Sequence, residues 1–264
     1  MKKKKIVIFT SNELRHLAFI NYLQKIKEIK IVGAFAEKKF QKNTIKNPVL
    51  INHFKQRYNF EKIYFKKFIK KKNWDFLNYC NKGFISSIYC LNLIKKLKPD
   101  LIIVYGSSIL RGKLINYYKK RILNVHLGLS PYYRGSGTNI FPLINNEPEY
   151  IGATFMFLDK GIDTGQIIHQ IRAKLNKKDT VHDIGNKLIL RMFSIYKKLI
   201  LNFDKIKFKK QKKVKISKFY KKKDFTEKNL LIMRENFKKN MIKNCLEKKK
   251  TIERKIKLVE QSWI

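Results

Sequence analysis

Three short apolar runs, separated by segments of helical periodicity, dominate the first half of the chain. They occupy residues 5–10 (KIVIFT), 29–36 (IKIVGAFA) and 101–105 (LIIVY). Apolar runs of this length, without alternating polar residues, are typical of strands buried on both faces of a parallel sheet. The first two runs flank a helical segment and so form a βαβ unit. The pattern predicts an α/β fold with a doubly wound, Rossmann-like and mostly parallel sheet.

Further elements are expected as far as residue 202. Strands are predicted at residues 121–126, 151–158 and 166–172, and near Ile63 and Tyr64. Helices are predicted at residues 13–27, 85–98, 109–120 and 180–201. Ser11 or Asn12 is the expected N-cap of the first of these helices, and Thr180 is the expected N-cap of the last.

The chain changes character after residue 202. A lysine-rich segment at residues 205–224 is typical of one or two exposed strands, and residues 227–256 have mostly helical periodicity. We therefore predict two domains. Residues 1–202 form the α/β domain, and residues 203–264 form a small basic C-terminal extension made of a strand plus a helix.

The net charge of +42 has two explanations. A polyanionic partner such as RNA is one. The other is codon bias from an AT-rich genome, which favours lysine, isoleucine, asparagine and the aromatic residues. Only nine of the 61 basic residues are arginine, the residue that nucleic-acid sites use for bidentate contacts. The composition thus favours codon bias, and a nucleic-acid partner is the less favoured interpretation.

The cysteines and the apolar stretches of the sequence indicate the cellular compartment of the protein. The three cysteines form no CxxC or Cys/His cluster, so neither a disulfide framework nor a metal site is expected. No apolar run reaches the length of a membrane span or a signal peptide. We expect a cytoplasmic protein with no membrane partner. The oligomeric state is left open.

One block, residues 123–170, places polar groups where an active site would form. Asn124 and His126 are two apart, so on a strand their side chains point to the same face. Asp163 lies in the tight GIDTG loop, which can bring a carboxylate to that face. An amide and an imidazole can stabilise negative charge on a carbonyl oxygen, and a carboxylate beside the imidazole supports proton transfer. Acyl transfer to an amine needs these groups and no protein nucleophile.

The same block resembles the folate-dependent formyltransferase family. The resemblance rests on Asn124-Val125-His126, Leu129-Ser130-Pro131, Arg134-Gly135 and the loop Asp159-Lys160-Gly161-Ile162-Asp163-Thr164-Gly165. It covers roughly residues 1–202 and is strongest over 99–170. It implies 10-formyltetrahydrofolate as the formyl donor and no metal.

The resemblance also implies roles for individual residues. Asn124 would hold the formyl oxygen, His126 would stabilise the oxyanion or act as an acid, and Asp163 would pair with His126 and relay protons. The pterin of the donor would lie against the following backbone positions: Ser108, Ile109, Leu110, Asp159 and Gly161.

The acceptor is harder to infer than the donor. Ser11 and Asn12 lie where glycinamide ribonucleotide enzymes have a glycine-rich phosphate loop, but residues 9–13 contain no glycine. Arg134 and Gly135 belong to an expected acceptor-side loop. Residues 203–264 are few for the RNA-binding domain of methionyl-tRNA enzymes, whereas residues 219–226 (FYKKKDFT) resemble the tails of enzymes that modify surface sugars. We therefore expect a small amine acceptor, a nucleotide sugar or another phosphorylated molecule.

Several alternatives stay open. The acceptor can instead be methionyl-tRNA or glycinamide ribonucleotide. A protein of another class, an RNA-binding protein on a degenerate formyltransferase scaffold, would bind RNA with steep salt dependence and without folate. A hydrolase that releases formate would use the same residues to activate water.

Overall fold

The computed structural model describes residues 3–38, 46–69 and 74–264. Its strands are β1 (Lys4–Ser11), β2 (Ile29–Glu37), β3 (Leu77–Cys80), β4 (Leu101–Val104), β5 (Ile122–His126), β6 (Tyr133–Gly135), β7 (Gly152–Phe157), β8 (Ile167–Arg172) and β9 (Lys218–Tyr220). Its α-helices are α1 (Leu14–Gln24), α2 (Pro48–Phe65), α3 (Ile88–Leu97), α4 (Lys113–Tyr117), α5 (Phe141–Ile144), α6 (Val181–Leu201), α7 (Glu227–Lys238), α8 (Met241–Glu247) and α9 (Lys249–Lys255).

The main sheet confirms the predicted fold class. Within the described residues it has seven strands in the order β3-β2-β1-β4-β5-β7-β8. The first five are parallel, whereas β7 is antiparallel to both of its neighbours, β5 and β8. The strand order reverses between β1 and β4. In sheets of this kind ligands bind outside the carboxyl ends of the strands, near that reversal.

The core lies on both faces of the sheet, as the uninterrupted apolar runs require. Ile6, Val7, Ile8 and Phe9 of β1 are all completely buried. Ile6 and Ile8 pack into one apolar cluster with α1 and α6, while Val7 and Phe9 pack into a second with α3 and α4. Because successive side chains of a strand point to opposite faces, a strand between two helical layers needs apolar residues at every position.

The N-cap predicted for the long helix α6 is confirmed. The hydroxyl of Thr180 accepts a hydrogen bond from the amide of Asp183, and the Asp183 carboxylate accepts one from the amide of Thr180. This capping box satisfies amide groups that the first turn of a helix leaves unpaired.

The short strand predicted near Ile63 and Tyr64 is wrong. Both residues belong to α2, whose first turn is capped by Asn47 and begins with Pro48. The capping side chain and the fixed φ of proline start a helix there. The buried residues His53, Glu61 and Phe65 then hold that helix against α6 and α1, which overrides the local strand preference.

Two helix boundaries also differ from the predictions. Helix α1 has Glu13 as its N-cap, not Ser11 or Asn12, because Ser11 ends β1 and its buried hydroxyl bonds the ring of His16. The helix expected over residues 109–120 is only α4, since Gly112 takes a left-handed backbone (φ +83°) immediately before it. Residues 106–112 therefore form a loop at the carboxyl end of β4.

The C-terminal part has the expected strand and helices, and it packs onto the rest of the chain. Strand β9 pairs with β6 in a small second sheet. Leu230 and Met233 of α7 are buried in the same apolar cluster as α1 and α6. The side chain of Gln261 donates to the carbonyl of Ile168 on the outer strand β8 (2.7 Å). The division of the chain at residue 202 stays a prediction.

The structure also shows the apolar character of the helices and the state of the cysteine thiols. In the part of the chain that it describes, no helix has both the length and the apolar character needed to cross a bilayer. The thiols of Cys80, Cys90 and Cys245 are all free, and burial raises the pKa of Cys90 to about 12.

Two imidazoles lie next to each other inside the protein, one on α2 and the other on α6, with their planes tilted by 36°. The ring centroids of His53 and His182 lie 4.9 Å apart, with Phe60 and Phe225 beside them. Burial lowers the pKa of His182 to about 4, and the charge of Arg57 adds to this effect against a smaller opposing effect of Asp183. His182 is therefore neutral in the folded protein at neutral pH.

We predict that His182 makes the protein less stable in mild acid. An unfolded histidine takes up a proton near pH 6.5, but folded His182 does so only near pH 4. The unfolded state binds more protons between these values, so stability is lost as the pH falls through this interval. Between about pH 7 and pH 5 the loss from this residue should be on the order of 1–2 kcal/mol. Urea unfolding of wild type and His182→Gln checks it: the variant should lose less stability, and equal losses would contradict the prediction.

Candidate active site

Asn124 and His126 lie on one face of β5, as the strand prediction required. The strand is held between β4 and β7, and its pairs fix the register: Asn124 lies opposite Val104 on one side and Met156 on the other. Asn124 is half-buried, whereas His126 is buried. Both side chains therefore project from a rigid element, and the amide remains accessible.

His126 and Asp163 are in direct contact. Nδ1 of His126 lies 3.2 Å from Oδ2 of Asp163, and Nε2 lies 2.9 Å from the carbonyl oxygen of Tyr133. Both partners of the ring are hydrogen-bond acceptors. A neutral imidazole carries a proton on only one nitrogen, so this arrangement fits the doubly protonated ring. An imidazolium is suited to stabilise an oxyanion or to deliver a proton.

The loop that carries Asp163 starts beside the N-terminal end of β5, whereas His126 lies at the C-terminal end of that strand. The base of the β7–β8 loop lies beside the start of β5, where the amide of Leu158 donates to the carbonyl of Ile122 (3.1 Å). His126 is four residues further along β5, a distance of about 13 Å in a strand. The loop must therefore extend along the strand before its carboxylate meets the imidazole.

Hydrogen bonds within the loop, and one from β6, hold the loop in this extended position. Asp163 has a left-handed backbone (φ +54°), and its Oδ2 accepts from the amide of Gly135 (2.9 Å). The carboxylate of Asp159 accepts from the amide of Gly161 (3.0 Å) and the hydroxyl of Thr164 (2.8 Å). Asp159 thus organises the loop. The contact of Asp159 and Gly161 with a pterin stays a prediction.

The loop after β4 is fixed by a residue that the sequence analysis missed. The buried carboxylate of Glu37, at the end of β2, accepts from the amide (2.6 Å) and hydroxyl (2.8 Å) of Ser108 and from the amide of Gly83 (2.6 Å). Next to Ser108, Ile109 is 47% exposed while Leu110 is buried. A lone acidic residue at the end of an apolar strand was the signal that could have revealed Glu37.

The expected acceptor residues at the end of β1 lie beside a neutral ion-pair network. Arg15 bonds Glu61 (2.7 Å) and Glu13, and Arg57 bonds Glu13 (3.0 Å). Although burial works to lower it, the two carboxylates raise the pKa of the Arg15 guanidinium. Two cations and two anions balance, so this network has no excess positive charge to offer a phosphate.

The two residues predicted there have different environments. The hydroxyl of Ser11 is buried against His16, and the amide of Asn12 donates to the carbonyl of Glu37 (3.3 Å) while its side chain is exposed. Their role in acceptor binding stays a prediction.

The structure joins some of the predicted site residues directly and places others at the same edge of the sheet. His126, Asp163 and Gly135 are in contact, and Arg134 adjoins them on β6, with an Nε that is buried without a hydrogen-bond partner in the described residues. The predicted donor loop and Ser11–Asn12 follow the carboxyl ends of β4 and β1, the edge to which His126 also belongs. Within the described residues, no group of three or more metal-binding side chains is gathered.

Comparison with known proteins gives one family match and a set of partial relatives. The model of the family described as "Formyl transferase" matches residues 4–196. The methionyl-tRNA formyltransferase of Desulforamulus reducens is 43% identical over 97 residues, which are 36% of this chain and 30% of that protein. That of Finegoldia magna is 30% identical over 116 residues, 43% of this chain and 37% of that protein. The matched span is about a third of the length of these curated relatives.

Solved structures share the fold. A 4-N formyltransferase from Francisella tularensis superposes with a TM-score of 0.57 at 23% identity, covering 87% of this chain and 86% of that chain. An N-formyltransferase from Helicobacter canadensis, solved with folinic acid and dTDP-3-aminofucose, has a TM-score of 0.53 at 20% identity and covers 85% and 72%. At these identities the likeness concerns the fold alone.

We predict that Gly128→Ala breaks the contact between His126 and Asp163. A Cβ at residue 128 would lie 2.5 Å from Nε2 of His126 and 2.8 Å from Cβ of Thr138, so the imidazole would have to move. The histidine ring signals in an NMR spectrum report that movement. Gly185→Ala is the matched control, because a Cβ there would lie 3.5 Å from Nδ2 of Asn139, an ordinary van der Waals distance. Unchanged signals of His126 in Gly128→Ala would contradict the prediction.

Proposed function

Because the chain belongs to the formyl transferase family, we propose that it transfers a formyl group from 10-formyltetrahydrofolate to a primary amine. The contact between His126 and Asp163, beside the accessible amide of Asn124, is the observation that carries the proposal. It brings together a hydrogen-bond donor, an acid and a carboxylate, which are the groups that this transfer requires.

The loop after β4 fits the donor. Glu37 holds Ser108 rigidly, and the exposed Ile109 leaves the neighbouring backbone open to a flat ring. Ser108, Ile109 and Leu110 would contact the pterin. The donor supplies a formyl carbon bound to a nitrogen that can leave.

The three catalytic residues then share the tasks of the transfer. The amino nitrogen of the acceptor bonds to the formyl carbon, and the bond from that carbon to the donor nitrogen breaks with its electron pair on that nitrogen. Asn124 and His126 stabilise the negative charge on the formyl oxygen. Asp163 orients His126 and accepts the proton that the amine loses, while Nε2 of His126 leaves the carbonyl of Tyr133 and supplies the proton that the leaving nitrogen gains.

Substitution of the three catalytic residues tests the reaction. We predict that His126→Ala and Asp163→Asn each lower kcat by at least about 10²-fold, because proton transfer is lost. Asn124→Ala should cost about 10²–10³-fold, as for removal of one oxyanion donor. The measurement is the rate of tetrahydrofolate release in the presence of an amine acceptor. The control is Asp204→Asn, which removes an exposed carboxylate whose partner is Lys4. Wild-type rates in His126→Ala and Asp163→Asn would exclude the mechanism.

Among acceptors, methionyl-tRNA has the strongest support. The relatives from Desulforamulus reducens and Finegoldia magna are methionyl-tRNA formyltransferases. A nucleotide-linked amino sugar is the second candidate, supported by the FYKKKDFT segment at residues 219–226. Glycinamide ribonucleotide is the least supported, since the arginines at the end of β1 are already neutralised by Glu13 and Glu61.

A direct comparison of acceptors distinguishes these candidates. We expect methionyl-tRNA to gain one CO by mass spectrometry when it is incubated with the protein and the formyl donor, and uncharged tRNA to gain none. The rate should fall steeply with salt, because phosphate contacts release counterions. Formylation of a nucleotide amino sugar alone would establish the second candidate. Formate release without any amine would identify a hydrolase, and RNA binding that does not depend on folate would identify a pure binding protein.

A further inference from the structure

Gln211, in the lysine-rich C-terminal part, is bonded to the loop that carries Asp163. Its side-chain amide Nε2 donates to the carbonyl of Asp163 (2.8 Å) and to the carbonyl of Gly165 (2.9 Å). These two acceptors lie on either side of Thr164. One side chain therefore spans the end of the loop in which Asp163 has its left-handed backbone.

The chain that follows Gln211 also holds β6, the strand that contains Gly135. We call residues 209–220 the clamp segment. Its first residue, Lys209, exchanges two backbone hydrogen bonds of 2.8 Å with Ile167 of β8, and this pairing anchors the chain two residues before Gln211. Further along, Ser217 donates to the carbonyl of Pro131 (2.7 Å) and the amide of Lys218 donates to the carbonyl of Tyr132 (2.7 Å).

The two anchored parts meet at the catalytic carboxylate. Strand β6 is held by β9, and its Gly135 donates to Oδ2 of Asp163. Gly135 can approach β9 only because it has no side chain, since a Cβ there would lie 2.1 Å from the carbonyl oxygen of Tyr220. The clamp segment thus fixes the amide that binds the carboxylate and the backbone that carries it.

We propose that Gln211 is a positioning residue, which holds the Asp163 loop in the conformation that brings its carboxylate to His126. The clamp segment is then part of the active site. The loop needs such a tether because it extends along β5 away from its base, and because a non-glycine residue disfavours the left-handed backbone that Asp163 adopts. The proposal rests on the proposed function, since it assigns Gln211 a role in the same reaction.

Gln211→Glu is the sharpest variant, because it keeps the size of the side chain and removes the only hydrogens that it donates. The carboxylate would face two carbonyl oxygens and be repelled. We expect kcat to fall between about 10-fold and 10²-fold, as for a misplaced catalytic group. KM for the acceptor should change less than about twofold, because the loop that Gln211 holds is the one expected to meet the donor. Gln24→Glu, at the exposed end of α1, controls for the added charge.

Hydrogen exchange of backbone amides gives a readout that does not depend on activity. In Gln211→Glu the amides of residues 159–165 should exchange faster, while those of β1, β4 and α6 keep their wild-type rates. Protection of the loop equal to wild type would overturn the proposal. So would a wild-type kcat in Gln211→Glu under conditions in which Asp163→Asn is impaired, and the proposed function would then still stand. If wild type itself formylates no amine, the proposed function fails, and the exchange experiment still decides whether Gln211 holds the loop.

Discussion

The contact between His126 and Asp163 is the interaction on which the rest of the site depends. The two residues are far apart in sequence, and the partners of the imidazole, a carboxylate and a backbone carbonyl, are both acceptors. The ring is therefore held in place from both sides, and it can donate to both acceptors only when both of its nitrogens carry protons. Without the carboxylate, β5 would present a histidine with nothing to fix its protonation or its orientation.

This contact imposes demands on distant parts of the chain. The antiparallel pairing of β7 with β5 places the base of the Asp163 loop beside the N-terminal end of β5. The loop must therefore extend along β5 to reach His126 at the C-terminal end. Backbone groups that leave the sheet in this way need partners elsewhere. Asp159 supplies them within the loop, and Gln211 supplies them from a segment almost fifty residues later. The C-terminal part and the sheet are consequently connected through the site itself.

At the carboxyl edge of the parallel strands, buried carboxylates also hold loops and side chains in place. Glu37 ends β2 and bonds two loops, including the one expected to meet the donor. At the end of β1 the carboxylates of Glu13 and Glu61 occupy the guanidinium groups of Arg15 and Arg57. Buried carboxylates without such partners would be costly, so each has several hydrogen bonds or ion pairs. These interactions hold the edge in place and leave the ion-pair network beside β1 without excess positive charge.

Local sequence patterns identified the structural features that depend on residues close together in the chain. The alternation of a strand placed Asn124 and His126 on one face, and a threonine just before a helical run predicted the cap at Thr180, because these relations involve residues within a few positions of each other. The same patterns failed near Ile63 and Tyr64, where packing of α2 against α6 overrode local preference. They could not reveal which residues Glu37 and Gln211 would bond, because those partners are up to 71 residues away in the chain.

The sequence by itself determined the layered α/β architecture and the residue types that can perform the chemistry. Uninterrupted apolar runs can be buried only between two layers of helices, and few side chains combine a donor, an acid and a base. Tertiary structure alone decided through which atoms Asp163 meets His126, that Glu37 fixes Ser108 and that Gln211 reaches the Asp163 loop. The physical reason is that hydrogen bonds and ion pairs act over a few ångströms in space, and only the packed fold sets which distant residues come that close.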